Sequence, residues 1–143
     1  MADTSEQRPT FAQNLIRQAE TSIPELDTDS FVQKVLRAEG PLAVIFFLRT
    51  CRACKALMVR LARLQDTLET ALPLYRVDAE EEPYLADYYW IEVAPTLFLF
   101  RHGEPHGRWE GLLPEDLLKD ILVEGSRAHR PMQPDYGEPR PDA

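Results

Sequence analysis

Seven residues, Leu42-Ala43-Val44-Ile45-Phe46-Phe47-Leu48, form an apolar run without polar alternation, β-branched and aromatic in character and preceded by Gly40-Pro41. A half-solvated strand alternates apolar and polar side chains, whereas a run of this kind reads as a strand buried on both faces. Such a strand belongs at the centre of a sheet with helices packed on it, which points to an α/β domain. Three positions further on stands Cys51-Arg52-Ala53-Cys54, which holds the only two cysteines of the 143 residues. Beyond it Leu57, Leu61, Leu64 and Leu68 recur at intervals of 4, 3 and 4. That spacing predicts a helix of about five turns laying a leucine stripe on the sheet.

A C-x-x-C at a strand-to-helix junction reads first as a redox dithiol, because a helix N-terminus stabilises the thiolate of a cysteine seated on it. Cys54 precedes Leu57 by three residues and continues the stripe, while Cys51 lies one turn earlier at the mouth of the helix. An exposed first sulfur and a shielded second one follow from that spacing. From Arg49 to Gln65 the chain carries five cations (Arg49, Arg52, Lys55, Arg60, Arg63) and no acid. Cations beside a thiol favour its charged form. Arg52, between the cysteines, is best placed to do so, with Arg49 and Lys55 next to it, whereas Arg60 and Arg63 read as a solvated helix face.

The length is that of one domain, and 44% apolar content supports a single core without metals or several disulfides as staples. A formal charge of −8, from 16 basic and 24 acidic residues, argues against nucleic acid or an anionic membrane surface as the main partner and favours proteins. The first residues lack a basic region followed by an apolar core, and no apolar run approaches the ~20 residues that cross a bilayer. A cytoplasmic, monomeric protein is expected. In that compartment a single cysteine pair is more often catalytic, sensing or metal-bound than a structural staple.

The remaining chain supplies the other layers. Phe11, Leu15, Ile16 and Ala19 fall on one helical face behind Thr10 as N-cap, and residues 1–20 read as an extension whose short helix covers an edge of the core. Thr21 to Leu26 reads as a short edge strand because it contains Pro24. Asp27 or Asp29 caps a helix with Phe31, Val32, Val35 and Leu36 inside. Leu74 to Asp78 is a strand, parallel to the first because a helix connects them. Glu80-Glu81-Glu82-Pro83 opens a short helix to about Tyr88. Thr96 to Phe100 and Gly107 to Glu110 form a hairpin around His102-Gly103-Glu104, and Pro114 to Val123 is the last helix. From Gly125 to residue 143 the periodicity stops, and Pro131, Pro134, Pro139 and Pro141 predict a disordered or polyproline-like tail.

With these elements in order, residues 21–124 resemble a thioredoxin. The resemblance rests on Cys51-x-x-Cys54, on Val93-Ala94-Pro95-Thr96-Leu97, on the turn His102-Gly103-Glu104 and on Gly111. Pro95 follows Cys54 by 41 residues (95 − 54) and Gly111 follows Pro95 by 16 (111 − 95), which is the spacing of that family. It implies a thioredoxin fold, a central mixed β-sheet flanked by helices, here with an added N-terminal helix and the Pro-rich tail. It also implies a cis bond before Pro95. Thr50, Ala94, Pro95 and Gly111 would then border a groove that pairs with an extended substrate peptide. Protein disulfides would be the substrates, with no cofactor beyond the Cys51–Cys54 couple, and a thioredoxin-reductase-type protein would be the electron donor.

The chain departs from the family at Thr50, Arg52 and Ala53, where Trp-Cys-Gly-Pro-Cys is usual, and Phe47 and Thr50 stand at the tryptophan positions. Its buried aspartate corresponds to Ile45, and the lysine paired with that acid falls near Leu74. These apolar replacements remove the proton relay that serves the second cysteine. A thiol–disulfide oxidoreductase is the expected function. The alternative is a binding, chaperone or assembly protein on the same scaffold with a weakly active or sensing dithiol. Cys51, Cys54, His102 and His106 also match a C-x2-C and H-x3-H zinc spacing, but seven strand residues put His102 ~23 Å from a Pro95 that lies beside the sulfurs. No metal is expected there.

Overall fold

The computed structural model describes residues 8–68 and 72–126. Helix α1 spans Phe11–Ser22, α2 spans Thr28–Phe31 and runs on as a π-helical turn over Val32–Leu36, and β1 spans Leu42–Phe47. Then come α3 (Arg52–Thr67), β2 (Leu74–Asp78), α4 (Pro83–Tyr88), β3 (Thr96–Arg101), β4 (Glu104–Glu110) and α5 (Glu115–Ser126). The sheet order is β2-β1-β3-β4, with β1 parallel to β2 and antiparallel to β3. This mixed sheet is the architecture the resemblance implies. Among the described residues no helix is long and apolar enough to cross a membrane.

All six residues of β1 are buried, and their alternation divides the interior into two cores. Ala43, Ile45 and Phe47 face one way, with Leu97 and Leu99 of β3, and pack against α1, α3 and α5; Cys54 belongs to this core. Leu42, Val44 and Phe46 face the other way, towards α2 and α4. There Phe31, Phe46, Tyr89, Phe98 and Phe100 form an aromatic cluster with ring centroids 5.4–6.5 Å apart, the separation at which tilted and edge-on rings attract.

Helix starts are specified locally. Thr10 and Gln13 form a capping box at α1, and Asp27 with Ser30 forms another at α2. The Ser30 backbone N–H, above all, holds the Asp27 carboxyl below its usual range. The edge strand expected over Thr21–Leu26 is reduced to one bridge, because α1 continues to Ser22 and only Glu25 pairs with β2. Arg76 N–H donates to the Pro24 carbonyl at 2.9 Å and Leu26 N–H donates to the Arg76 carbonyl at 2.8 Å. Pro24 has no N–H with which to extend the ladder. Gly125 and Ser126 lie in α5, and the rest of the tail, with its Pro131 to Pro134 stretch, falls outside the described residues.

His102 and Gly103, at φ +54° and +76°, make the two-residue turn between Arg101 and Glu104. A Cβ on Gly103 would stand 2.5 Å from the Leu36 carbonyl oxygen, so glycine is required by contact as well as by conformation. The β3–β4 register shifts between Leu99 and Phe100, which leaves His106 as the extra residue of a bulge.

Burial among the rings pushes the Tyr89 hydroxyl from 10 up to about 12. Between those two values the unfolded chain has lost a proton that the folded chain keeps, so stability falls as pH rises through the window. The urea midpoint followed from about pH 10 to about pH 12 should drop less for Tyr89→Phe than for the parent protein. Equal drops would show that Tyr89 is not the group responsible.

Candidate redox site

The carboxyl end of β1 passes through Leu48, Arg49 and Thr50 into α3, and Cys51 is the N-cap of that helix. Its sulfur accepts a hydrogen bond from Cys54 N–H at 3.0 Å, in the place a serine or aspartate oxygen occupies at ordinary helix starts. Cys51 and Cys54 are joined as a disulfide with Cα atoms 5.2 Å apart. Cys54 is wholly buried and Cys51 partly exposed, in the arrangement the leucine stripe predicts.

The loop before β3 comes to the same point. The Ala94 carbonyl oxygen lies 3.7 Å from Cys51 Sγ, and the Ala94–Pro95 bond is cis. Gly111, at φ +91°, donates its N–H to the Pro95 carbonyl at 2.8 Å, and Thr96 Oγ donates to the Val93 carbonyl at 2.6 Å. Cys51, Ala94, Pro95 and Gly111 thus meet at one end of the sheet, with Thr50 exposed beside them. His102 and His106 are at the other end of β3, a strand about 20 Å long, and are not brought to the sulfurs.

The cations around the dithiol differ in their surroundings. Arg49 turns into a web of carboxylates, with Glu25 at 2.6 Å, Asp78 at 3.1 Å and Glu81 at 3.9 Å. The hydrogen bond it donates to the Glu25 carboxylate, chiefly, holds its guanidinium in the charged form. Buried Asp78 also accepts the N–H groups of Glu80 at 2.8 Å and Glu81 at 3.2 Å. The charge of Arg49 is therefore balanced by acids that would repel one another without it. Arg52 is exposed in the first turn of α3. Lys55 lines a cavity of about 160 Å³ together with Glu20, Phe47, Leu48, Arg49 and Met58. Of the two expected solvent-facing cations, Arg60 donates to the Leu113 carbonyl at 2.6 Å and Arg63 approaches Glu115 at 3.8 Å.

Behind the disulfide, Ile45 is fully buried in the same core as Cys54. Its partner across β2 is Arg76, whereas Leu74 pairs with Ala43. The basic position opposite Ile45 is therefore occupied by a guanidinium, two residues from where the sequence reading put it. Arg76 stacks on the Phe47 ring at 5.4 Å, with Glu20 at 3.6 Å and Glu25 at 3.7 Å.

A second residue missed by the sequence reading is Arg108. Helix α4 ends with Trp90 N–H donating to the Asp87 carbonyl at 3.1 Å and Ile91 N–H to the Ala86 carbonyl at 2.8 Å. These are the paired bonds of a Schellman ending, whose left-handed residue is usually glycine. Here it is Trp90, at φ +53°, a conformation that costs a side-chain-bearing residue about 1–2 kcal/mol. The carbonyls of Tyr89, at the end of the helix, and Trp90, just past it, accept from Arg108 at 2.6 and 2.5 Å. The same guanidinium stacks on Phe98 at 5.2 Å and approaches Glu110 at 3.3 Å. No spacing rule links a residue of β4 to two backbone oxygens 18 and 19 positions away, so the sequence carried no signal for it.

Residues 22–124 match the family model described as Thioredoxin. The chain is similar to thioredoxin Y1, chloroplastic, of Arabidopsis thaliana, at 33% identity over 59% of this chain and 49% of that protein. It is similar to thioredoxin Y2, chloroplastic, of the same organism, at 32% identity over 66% and 56%. To the thioredoxin of Porphyra purpurea it is 25% identical over 71% of this chain and 94% of that one. The chain spans about half the length of the first two relatives. With the family match covering most of the chain, and the cysteine pair, the proline loop and the glycine after β4 meeting at one point, the protein is a member of the thioredoxin family.

Proposed function

We propose that this protein is a thiol–disulfide oxidoreductase acting on protein disulfides. The observation that carries the reading is the disulfide between a partly exposed, helix-capping Cys51 and a buried Cys54, with the Ala94 carbonyl 3.7 Å from the outer sulfur. In the reduced protein Cys51 attacks as a thiolate, which the α3 N-terminus and the cations Arg52 and Lys55 favour. Its electron pair forms a bond to one substrate sulfur while the other substrate sulfur leaves as thiolate and takes up a proton. Cys54 then loses its proton and attacks Cys51. The substrate departs with both sulfurs reduced and the Cys51–Cys54 disulfide is formed, two electrons having passed to the substrate. The exposed edges of Ala94 and Gly111 suit pairing with an extended peptide next to the disulfide, and Thr50 borders the same groove. A thioredoxin-reductase-type donor would restore the dithiol.

The chemistry is tested by the reduction potential of the pair, from thiols that can be alkylated after equilibration in graded glutathione buffers. A reversible two-electron transition near about −270 mV supports a reductase, and one near about −120 mV an oxidant. Failure to form the internal disulfide at any poise would leave a scaffold protein. Cys54→Ser should accumulate mixed disulfides with added disulfide substrate, visible on non-reducing gels, and Cys51→Ser should form none.

The second step is the slow one in this reading. Cys54 must lose a proton in an apolar core, beside Ile45 and leucines, and burial disfavours its charged form. Ile45→Asp would put a carboxylate opposite the Arg76 guanidinium, close to Cys54 in the same core. Release from the mixed disulfide should accelerate by about tenfold or more at neutral pH, somewhat below the ~10²–10⁴-fold of a fully positioned base. An unchanged rate in the folded variant would exclude proton removal as the limiting event.

A further inference from the structure

We infer that Arg108 is a positioning residue for the substrate-pairing loop, holding the segment between α4 and Pro95 through the carbonyls of Tyr89 and Trp90. This rests on the oxidoreductase reading for its consequence in catalysis, but the mechanical part stands on the structure alone. In that reading the peptide pairs with backbone, at Ala94, whose carbonyl lies beside Cys51, and at Gly111, which is bonded to Pro95. Backbone recognition demands that the loop be held before the peptide arrives, since ordering it on binding weakens the complex. Downstream the loop is secured by the Gly111-to-Pro95 and Thr96-to-Val93 hydrogen bonds. Upstream it leaves α4 through Trp90, a residue ill suited to the left-handed conformation it adopts.

Arg108 supplies what that turn needs. Its two nitrogens reach the carbonyls of Tyr89 and Trp90, and a cation at a helix C-terminus also meets the negative end of the helix dipole. The planar fork spans both oxygens at once, which a lysine head cannot do in the same geometry. Stacking on Phe98 fixes the fork from below, and Phe98 faces Arg108 directly in the β3–β4 register. A chain is thereby formed from the aromatic core through Arg108 to Trp90, and from Trp90 along five residues to Pro95.

The test uses the full chain with Arg108→Met, which keeps bulk on Phe98 but removes every donor, and Arg108→Lys as the conservative variant. Amide hydrogen exchange at Ile91 to Ala94 reads the positioning without any assay of activity. Exchange there should quicken in Arg108→Met and less so in Arg108→Lys, while amides of β1 are unaffected. With dithiothreitol recycling the protein and its direct reaction subtracted, kcat/KM is compared on a peptide disulfide and on bis(2-hydroxyethyl) disulfide, an aliphatic disulfide with no peptide backbone. In Arg108→Met the ratio of the two should fall roughly tenfold, through KM for the peptide and not through kcat. Trp90→Gly relieves the turn, so the effect of Arg108→Met should be smaller in that background, a coupling that a purely packing role would not produce.

Unchanged exchange over Ile91 to Ala94 in Arg108→Met overturns the inference. So do equal losses on both disulfides, or effects that simply add in the double variant. If Arg108→Met does not fold, the exchange contrast between the parent and Arg108→Lys decides in the same way. If the parent protein reduces neither disulfide, the oxidoreductase reading fails, and the exchange result still decides whether Arg108 holds the loop.

Discussion

Burial of β1 on both faces is the constraint from which the rest of this structure follows. Six consecutive side chains without solvent contact require two separate apolar layers, and the alternation along the strand assigns each residue to one of them. The layer under α1, α3 and α5 is aliphatic and receives Cys54; the layer under α2 and α4 is aromatic and receives Tyr89. Because α3 starts four residues after Leu48, the N-terminus of the helix is fixed at the end of a strand that is buried on both faces and paired on both sides. Cys51 thus inherits its position from the packing of Ile45 and Phe47, not from its own contacts.

This explains which parts could be read in the sequence. The two-sided strand, the leucine stripe and the relation of Cys51 to Cys54 are periodic, and period maps directly onto faces. The resemblance supplied what periodicity does not, namely the approach of Ala94 to Cys51 over more than forty residues of intervening chain. What escaped were contacts made by long side chains across elements. Nothing in the run Leu74 to Asp78 marks Arg76, and only the β1–β2 register puts it opposite Ile45. Pro24 suggested an edge strand over Thr21 to Leu26, yet α1 takes Thr21 and Ser22 and one bridge remains. Arg108 binds backbone oxygens, which carry no residue identity for a pattern to detect.

The cations near the dithiol divide into two kinds. Arg49 is enclosed by Glu25, Asp78 and Glu81 and ties together the segment before α2, the end of β1 and the turn after β2. It serves the framework of the site. Arg52 and Lys55 stand on the helix that presents the sulfurs, in its first turn. The sequence groups Arg49 with Arg52 and Lys55 beside the cysteines, and in the structure Arg49 is the one of the three engaged by the carboxylates of Glu25, Asp78 and Glu81.

The sheet edges bear on how such a protein stays apart from its neighbours. An unprotected edge strand is a template for another chain, and a protein that recognises extended peptides is exposed to that hazard. Here β2 is shielded where Pro24 to Leu26 crosses it, and β4 carries Pro105 and a bulge at His106 that interrupt a regular ladder. Pairing with a foreign strand is thus discouraged along the flanks of the sheet and left open at the Ala94 loop beside Cys51. An extended chain that paired at the Ala94 loop would therefore meet the protein beside Cys51, while the flanks of the sheet offer it no regular ladder.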